Sequence, residues 1–357
     1  MLIYILVILL ILILQNRVSS YARGEERERV EKQYLKIVCW ILVLLAAFRG
    51  ITVGTDTSHY WPEYLNMPNR TIPDLLEQYA DYPGYYLLAK ACSLLHLPIQ
   101  VLFGLVEGLY VYAIYKFINR FSLEKLYSLL GFAVIGLFSF SMAGLKQTLA
   151  MAFVLLYYID LNDKKIFRAI LFAMVAYYCH HVSLIFIAGV VLYYMRNLRF
   201  FYVYLAVVVA VVLLGTNFIW TEMLSLLEND HYSELYKADE GYSSTSMIIY
   251  GILLSILFLF SGRYSRVMKE DSRIMLGMTT FAFAFQAFSF ISSAAFRLSF
   301  FFLPYMIVAF PNDFNCIQNA ELRRWVKIGV ELLLIFIFIY TNRNGGSVVP
   351  YKFFWQT

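Results

Sequence analysis

Long apolar runs alternate with short polar connections along almost the whole chain. Leu2 to Leu14 is built from Leu, Ile, Val and one Tyr, and further apolar runs fall at about 34–48, 99–118, 126–142, 145–159, 166–180, 182–195, 200–220, 247–262, 274–293, 296–310 and 325–341. A helix needs roughly 20 apolar residues to cross a hydrocarbon core about 30 Å thick. The pattern therefore predicts an all-α polytopic membrane protein with about 12 transmembrane helices, within a range of 11–13. The run Tyr85 to Leu97 is different, because it contains Lys90 and His96 and stops at Pro98. It reads as a re-entrant or interfacial helix near 85–97. The result is a single integral membrane domain over 1–357, with an outer loop at 49–98 that carries this helix and a second outer loop at 221–246.

Composition narrows the class. Of the 357 residues 61% are hydrophobic and only 15% charged, against roughly 25% charged in an average soluble domain. A soluble globular enzyme is excluded, and no length is left for a separate soluble domain. Cys39, Cys92, Cys179 and Cys316 lie far apart without CxxC spacing, so neither disulfides nor structural zinc are expected. Aromatic residues make up 18% of the chain, enough for headgroup belts and for flat faces that can hold sugar rings.

Charge sets the orientation. Basic residues follow the first run, at Arg17, Arg23, Arg27 and Arg29, whereas a cleaved signal peptide would have them in front. The positive-inside rule then puts both termini outside and gathers 21 of the 29 Lys and Arg residues in inner loops. Counting Tyr85 to Leu97 as a crossing would invert every later loop and move Lys164 to Arg168, Arg196 to Arg199 and Arg263 to Arg273 to the outside, against the rule.

This topology puts Arg49, Lys146, His180, His181 and Arg297 at the outer boundary. Ionisable residues beside hydrocarbon are costly and usually face a protein interior or a wet cavity. Each cation has two readings, a side chain snorkelling to the headgroups or a ligand for an anion such as a phosphate or diphosphate. The histidine pair is either buried and satisfied or catalytic; too few ligands lie nearby for a metal. Between Arg49 and Tyr60, two glycines and several hydroxyls surround Asp56. The segment is either a turn that aims Asp56 at the membrane surface or a cap leading into a helix from about Ser58. Glu107 and Glu331, inside spans, are packing partners or parts of a proton path.

An ordered set of short motifs resembles the EpsG branch of the Wzy-type polysaccharide polymerases. It comprises Arg49-Gly50, Val53-Gly54-Thr55-Asp56-Thr57 with Tyr60, Tyr82-Pro83-Gly84-Tyr85-Tyr86, Leu145-Lys146-Gln147-Thr148-Leu149-Ala150, His181-Val182-Ser183-Leu184-Ile185 and Phe296-Arg297-Leu298. The likeness extends over roughly residues 30–310. The family pattern has Arg before Gln in the fifth span; this chain has Lys146, a point charge in place of a fork.

The resemblance implies a glycosyltransferase-C-like fold and a hexosyltransferase-type, metal-independent polymerase without cofactors, in the bacterial cytoplasmic membrane. Such an enzyme joins repeat units of an exopolysaccharide, capsule or O-antigen at the outer face. Its donor and acceptor would be undecaprenyl-diphosphate-linked oligosaccharides, its further partners the bilayer, a flippase and a chain-length regulator, and it would bind no nucleic acid. On this reading Arg49, Lys146 and Arg297 bind the diphosphate, Asp56 is the first choice of general base and His181 the second. Gln147, His180, Tyr60 and Tyr85 are secondary substrate-binding residues. A lipid-linked oligosaccharide flippase and a membrane O-acyltransferase are the rival classes. The first would need cationic sites reachable from both faces, the second a polar cluster on the cytoplasmic side.

Overall fold

The computed structural model describes residues 1–21, 24–225, 248–257, 272–290, 295–342 and 348–356. Regular structure among them is helical, and the extended pairing is an isolated antiparallel bridge between Arg49 and Phe353. The chain forms two compact units, residues 1–183 with 325–357, and residues 184–324.

The first unit contains ten helices in its first segment: α1 (Leu2–Ser19), α2 (Glu25–Ala47), α3 (Thr57–Asn66), α4 (Ile72–Gln78), α5 (Pro83–Leu94), α6 (Ile99–Phe121), α7 (Lys125–Val134), α8 (Leu137–Ala143), α9 (Leu145–Asn162) and α10 (Ile166–Cys179). Its core is a row in which α2 packs on α6, α6 on α9 and α9 on α10, while α5 lies against α10 and α6. Buried positions on α6, among them Leu102, Phe103, Val106, Tyr110, Ile114, Phe117 and Phe121, recur at three- and four-residue steps and mark the face turned to its neighbours. Helix Ala320–Asn342 brings the chain back, and Glu331 on it accepts from Gln15 Nε2 of α1 at 2.5 Å. The segment 348–356 closes over the end of α2: Gly50 N donates to Lys352 O, Phe354 N to Phe48 O, and Tyr351 Oη to Leu45 O.

The second unit holds helices Ile187–Met195, Phe201–Leu214, Thr216–Ser225, Ile248–Leu257, Ser272–Gln286 and Leu303–Phe314. Ser272–Gln286 packs on Leu303–Phe314, and stacked rings of Phe285 and Phe302, 5.3 Å apart, lie in its core.

Apolar side chains that face outward form stripes at helical spacing: Leu2, Leu6, Leu9 and Ile13 on α1, Phe167, Ile170, Met174 and Tyr178 on α10, and Val203, Val207, Val211 and Leu214 in the second unit. Lipid is the solvent in which such stripes cost nothing. The count of about 12 spans is not confirmed. Two helices are long and apolar enough to cross unbroken, Leu2–Ser19 and Ile99–Phe121, and α7 with α8 qualifies only as a pair bent by 50°, among the described residues. Runs 34–48, 145–159, 166–180 and 325–341 each fall largely within one continuous helix that does not meet this test, and three further runs are interrupted. Run 182–195 opens as a 3-10 turn, run 200–220 breaks at Gly215, and run 296–310 is divided between the 3-10 segment Ala295–Phe301 and a helix. Loop 221–246 lies outside the described residues beyond Ser225.

Candidate functional site

The loop that follows α2 folds into α3 and α4, which the apolar pattern did not anticipate. Gly54 makes this possible. Its φ of +96° is open to glycine, and a Cβ there would stand 2.4 Å from Met142 O and 2.7 Å from Thr57 Oγ1. The turn is thus pressed against the end of α8. Thr57 Oγ1 donates to Val53 O at 2.8 Å, and α3 starts at Thr57. Asp56 occupies the cap position, but its side chain makes no capping hydrogen bond. The helix expected from about Ser58 is present, and the Asp56 carboxylate is not consumed by its N-terminus; it acts electrostatically on Lys146.

α4 is fixed by a capping box in which Asp74 N donates to Thr71 Oγ1 and Thr71 N to Asp74 Oδ2. α5 begins at Pro83, a residue suited to a first helical position. Gly84 follows, and a Cβ on it would meet Cys179 Sγ and Tyr178 O, both at 3.1 Å. The absent side chain lets the start of α5 sit directly on the end of α10. The segment expected near 85–97 as a re-entrant or interfacial helix is this short helix, anchored by Lys90, whose Nζ donates to Met67 O and Arg70 O at 2.7 Å.

These contacts bring α3, α5, the start of α9 and the end of α10 to one place. Lys146, half-buried on α9, has its ammonium 4.7 Å from the ring centroid of Tyr82, 4.8 Å from Tyr86, 5.6 Å from Tyr60 and 5.9 Å from Tyr79. Four aromatic faces within about 6 Å of one cation form a cage. Tyr79 and Tyr86 stack at 3.6 Å, Tyr85 packs against Tyr60 at 5.6 Å, and Tyr86 Oη donates to Glu63 Oε2 at 3.0 Å. Glu63, Asp56 and Asp81 are the carboxylates whose fields act on Lys146.

The histidines line the same place. His181 Nδ1 lies 3.2 Å from Asp81 Oδ1, its backbone N donates to Asp81 O, and its ring stacks on Tyr177 at 4.2 Å. A neutral imidazole that donates through Nδ1 keeps the lone pair of Nε2 for another proton. His180 packs edge-on against Tyr82 at 4.8 Å, and its Nδ1 accepts from Val182 N at 3.3 Å.

Of the residues picked from the sequence, Asp56, Tyr60, Tyr85, Lys146, His180 and His181 meet in this cluster, and Gln147 is buried beside Lys146. Arg49 lies within electrostatic reach of Tyr85, but its direct contacts are with other residues of the unit. It is fully buried, its Nη1 donates to Ala46 O, its guanidinium carbon lies 3.9 Å above Phe103, and its Nε and Nη2 have no hydrogen-bond partner among the described residues. Glu107 is the carboxylate acting most strongly on it, and Ser141 Oγ stands 2.9 Å from Glu107 Oε1. Arg297 belongs to the second unit, half-buried in Ala295–Phe301. Sequence reasoning missed Glu63, Tyr79 and Asp81. A signal for Asp81 was its place next to the Tyr82-Pro83-Gly84 start of α5.

No set of three or more His, Cys, Asp or Glu arranged to hold a metal ion occurs among the described residues. No curated protein and no solved structure matches the chain. A family model does match, over residues 32–353, a stretch that takes in the whole tyrosine cage and both histidines, and this chain belongs to the EpsG family, the family of Wzy-type polysaccharide polymerases.

Proposed function

We propose that the chain polymerises oligosaccharide repeat units carried on undecaprenyl diphosphate, at the outer face of a bacterial cytoplasmic membrane, into an exopolysaccharide, capsule or O-antigen. The observation that carries this reading is the Lys146 cage with the His181–Asp81 pair at its edge. Aromatic faces and carboxylates bind sugar rings and their hydroxyls, and a base beside them can take a proton from an acceptor hydroxyl.

In the transfer, an acceptor hydroxyl attacks the anomeric carbon of the donor sugar. The bond from that carbon to the diphosphate oxygen breaks, the lipid diphosphate leaves with the electron pair, and the base holds the proton. Arg49, Lys146 and Arg297 are the cations proposed for the diphosphate, Lys146 being the one set beside both candidate bases. The charge that develops on the leaving phosphate is what such a cation stabilises. Asp56 and His181 are the proposed bases, and Asp81 is a positioning residue for His181. Tyr60, Tyr85, Gln147 and His180 are proposed to line the sugar path. Both termini are proposed to face the outside, and a flippase and a chain-length regulator are the proposed partners.

The test is incubation of the purified full-length chain, in lipid nanodiscs, with a synthetic lipid-diphosphate-linked repeat unit. A ladder of polymer lengths with release of lipid diphosphate is expected. Transport of the lipid-linked unit without any polymer would replace this reading with a flippase.

A further inference from the structure

The four tyrosines around Lys146 are all buried, Tyr86 down to 1% exposure, whereas Lys146 itself is half-buried. They form a seat for the ammonium. Ring faces attract a cation but offer it no lone pair of the kind an oxyanion has, so the N–H groups of Lys146 stay available to such a ligand. Where the ammonium sits is set by where the rings sit. Two of the rings make one wall, for Tyr79 and Tyr86 stack at 3.6 Å with their planes 13° apart, and Arg70 lies over Tyr79 at 5.7 Å. The wall is pinned by Glu63: its Oε2 accepts from Tyr86 Oη at 3.0 Å, and the Tyr79 hydroxyl interacts with the same carboxylate. Glu63 follows Tyr60 by three residues on α3 and so shares its face of the helix. One short helix thus presents a ring to Lys146 and the acceptor that holds two more.

We infer that Glu63 is a positioning residue for Lys146: by accepting the Tyr86 hydroxyl it fixes the Tyr79–Tyr86 wall, and through that wall the place of the ammonium that receives an oxyanion. The polymerase reading supplies the identity of that oxyanion, a lipid diphosphate; the geometry stands without it. Of the carboxylates that act on Lys146, Glu63 acts most strongly. Its charge is not what it contributes to binding, because a carboxylate near Lys146 opposes a phosphate at the same place. Its contribution is the hydrogen bond that orients Tyr86. Charge and geometry therefore predict effects of opposite sign when Glu63 is replaced.

The experiment uses the full-length chain in nanodiscs and a short prenyl diphosphate that carries no sugar, with binding measured by calorimetry at neutral pH and each variant checked for an unchanged unfolding temperature. Lys146→Ala sets the level of binding without the ammonium. Glu63→Ala removes the acceptor, and Tyr86→Phe removes the donor but keeps the ring; each should weaken binding about tenfold, within what a hydrogen bond to a charged group contributes. The double variant should bind no more weakly than either single one, because both break the same bond. Glu63→Gln keeps an acceptor for Tyr86 and loses the charge, so it should bind as tightly as the wild type or more tightly. Tighter binding in Glu63→Ala with no change in Tyr86→Phe is the mark of charge alone and overturns the inference, as does a wild-type chain that binds no better than Lys146→Ala. If Glu63→Ala does not fold, the contrast between Tyr86→Phe and Glu63→Gln decides. Turnover of a lipid-linked repeat unit separates the two ideas: KM should follow the binding losses, with kcat at saturation nearly unchanged. A kcat lowered by about two orders of magnitude or more in Glu63→Gln, with binding intact, would make Glu63 a base and overturn the positioning role. Diphosphate binding that depends on Glu63 as described, without polymer from the wild type, keeps that role and sinks the polymerase. Polymer formation with binding indifferent to Glu63 and Tyr86 does the reverse.

Discussion

His181 is held in one orientation by a carboxylate, which makes the two residues separable by substitution. Asp81→Asn keeps the size of the side chain but offers an amide where the imidazole had an acceptor for Nδ1–H. If His181 is the base, Asp81→Asn and His181→Gln should both lower turnover by about two to four orders of magnitude, the usual contribution of acid–base catalysis, with binding of the lipid-linked unit retained. Asp56→Asn would then be the milder change. The opposite ranking in single-turnover assays would assign the base to Asp56 and leave His181 a structural role. At the cage, Lys146→Arg keeps the charge and supplies a fork, so polymer yield should be maintained, whereas Lys146→Ala removes the one ammonium and should reduce turnover more than abundance. The residues legible in the sequence were those out of place in their surroundings. Lys146, His180 and His181 interrupt apolar runs, and Asp56 follows two closely spaced glycines. Glu63, Tyr79 and Asp81 were not legible because acids and tyrosines are ordinary in a polar loop. Their meaning comes from partners on α9 and α10, distant in the chain.

At the scale of the element, two glycines set how closely short helices approach the bundle. Gly54→Ala forces a side chain into a left-handed backbone and against a backbone carbonyl that has no rotamer to change. It should cost about 1–3 kcal/mol of stability, read as a lower unfolding temperature, and should displace Asp56 and Tyr60 together. Gly84→Ala is milder, since Cys179 Sγ and Tyr178 O at 3.1 Å need to yield by only a few tenths of an ångström. The start of α5 should shift, Tyr82 should separate from His180, and turnover should fall more than stability. Adding Cys179→Ala removes one of the three close atoms, the thiol, and should restore part of the activity. An unchanged rate in Gly84→Ala would show that the seat of α5 on α10 does not matter to the chemistry. The apolar pattern located α5 well but not α3 and α4. α3 contains Pro62 and mixes tyrosines with polar residues, and α4 spans only seven residues, too short for a periodic signal. Thr71 and Asp74, spaced as a capping box, were the readable trace of α4.

For the molecule as a whole, apolar runs proved a good guide to what is buried in lipid or protein and a weaker guide to how many unbroken helices carry it. Hydropathy records the environment of a side chain; it does not record whether the backbone continues straight through Gly136 or Gly215. Sidedness is a further question, because it depends both on charge in the loops and on the number of crossings that precede each loop. In a chain whose four native cysteines are replaced, Ser58→Cys beside Asp56 and Lys165→Cys at the start of α10 are both at exposed positions. The Ser58 position should react with a membrane-impermeant maleimide in intact cells, and the Lys165 position only after permeabilisation. Arg199→Cys, at an exposed position of the second unit that the proposed orientation puts on the inner side, should behave like Lys165. Labelling of Lys165 in intact cells with Ser58 protected would reverse the orientation. The cage would then face the cytoplasm, away from repeat units that have already been flipped, and the proposal of polymerisation at the outer face would fall with it.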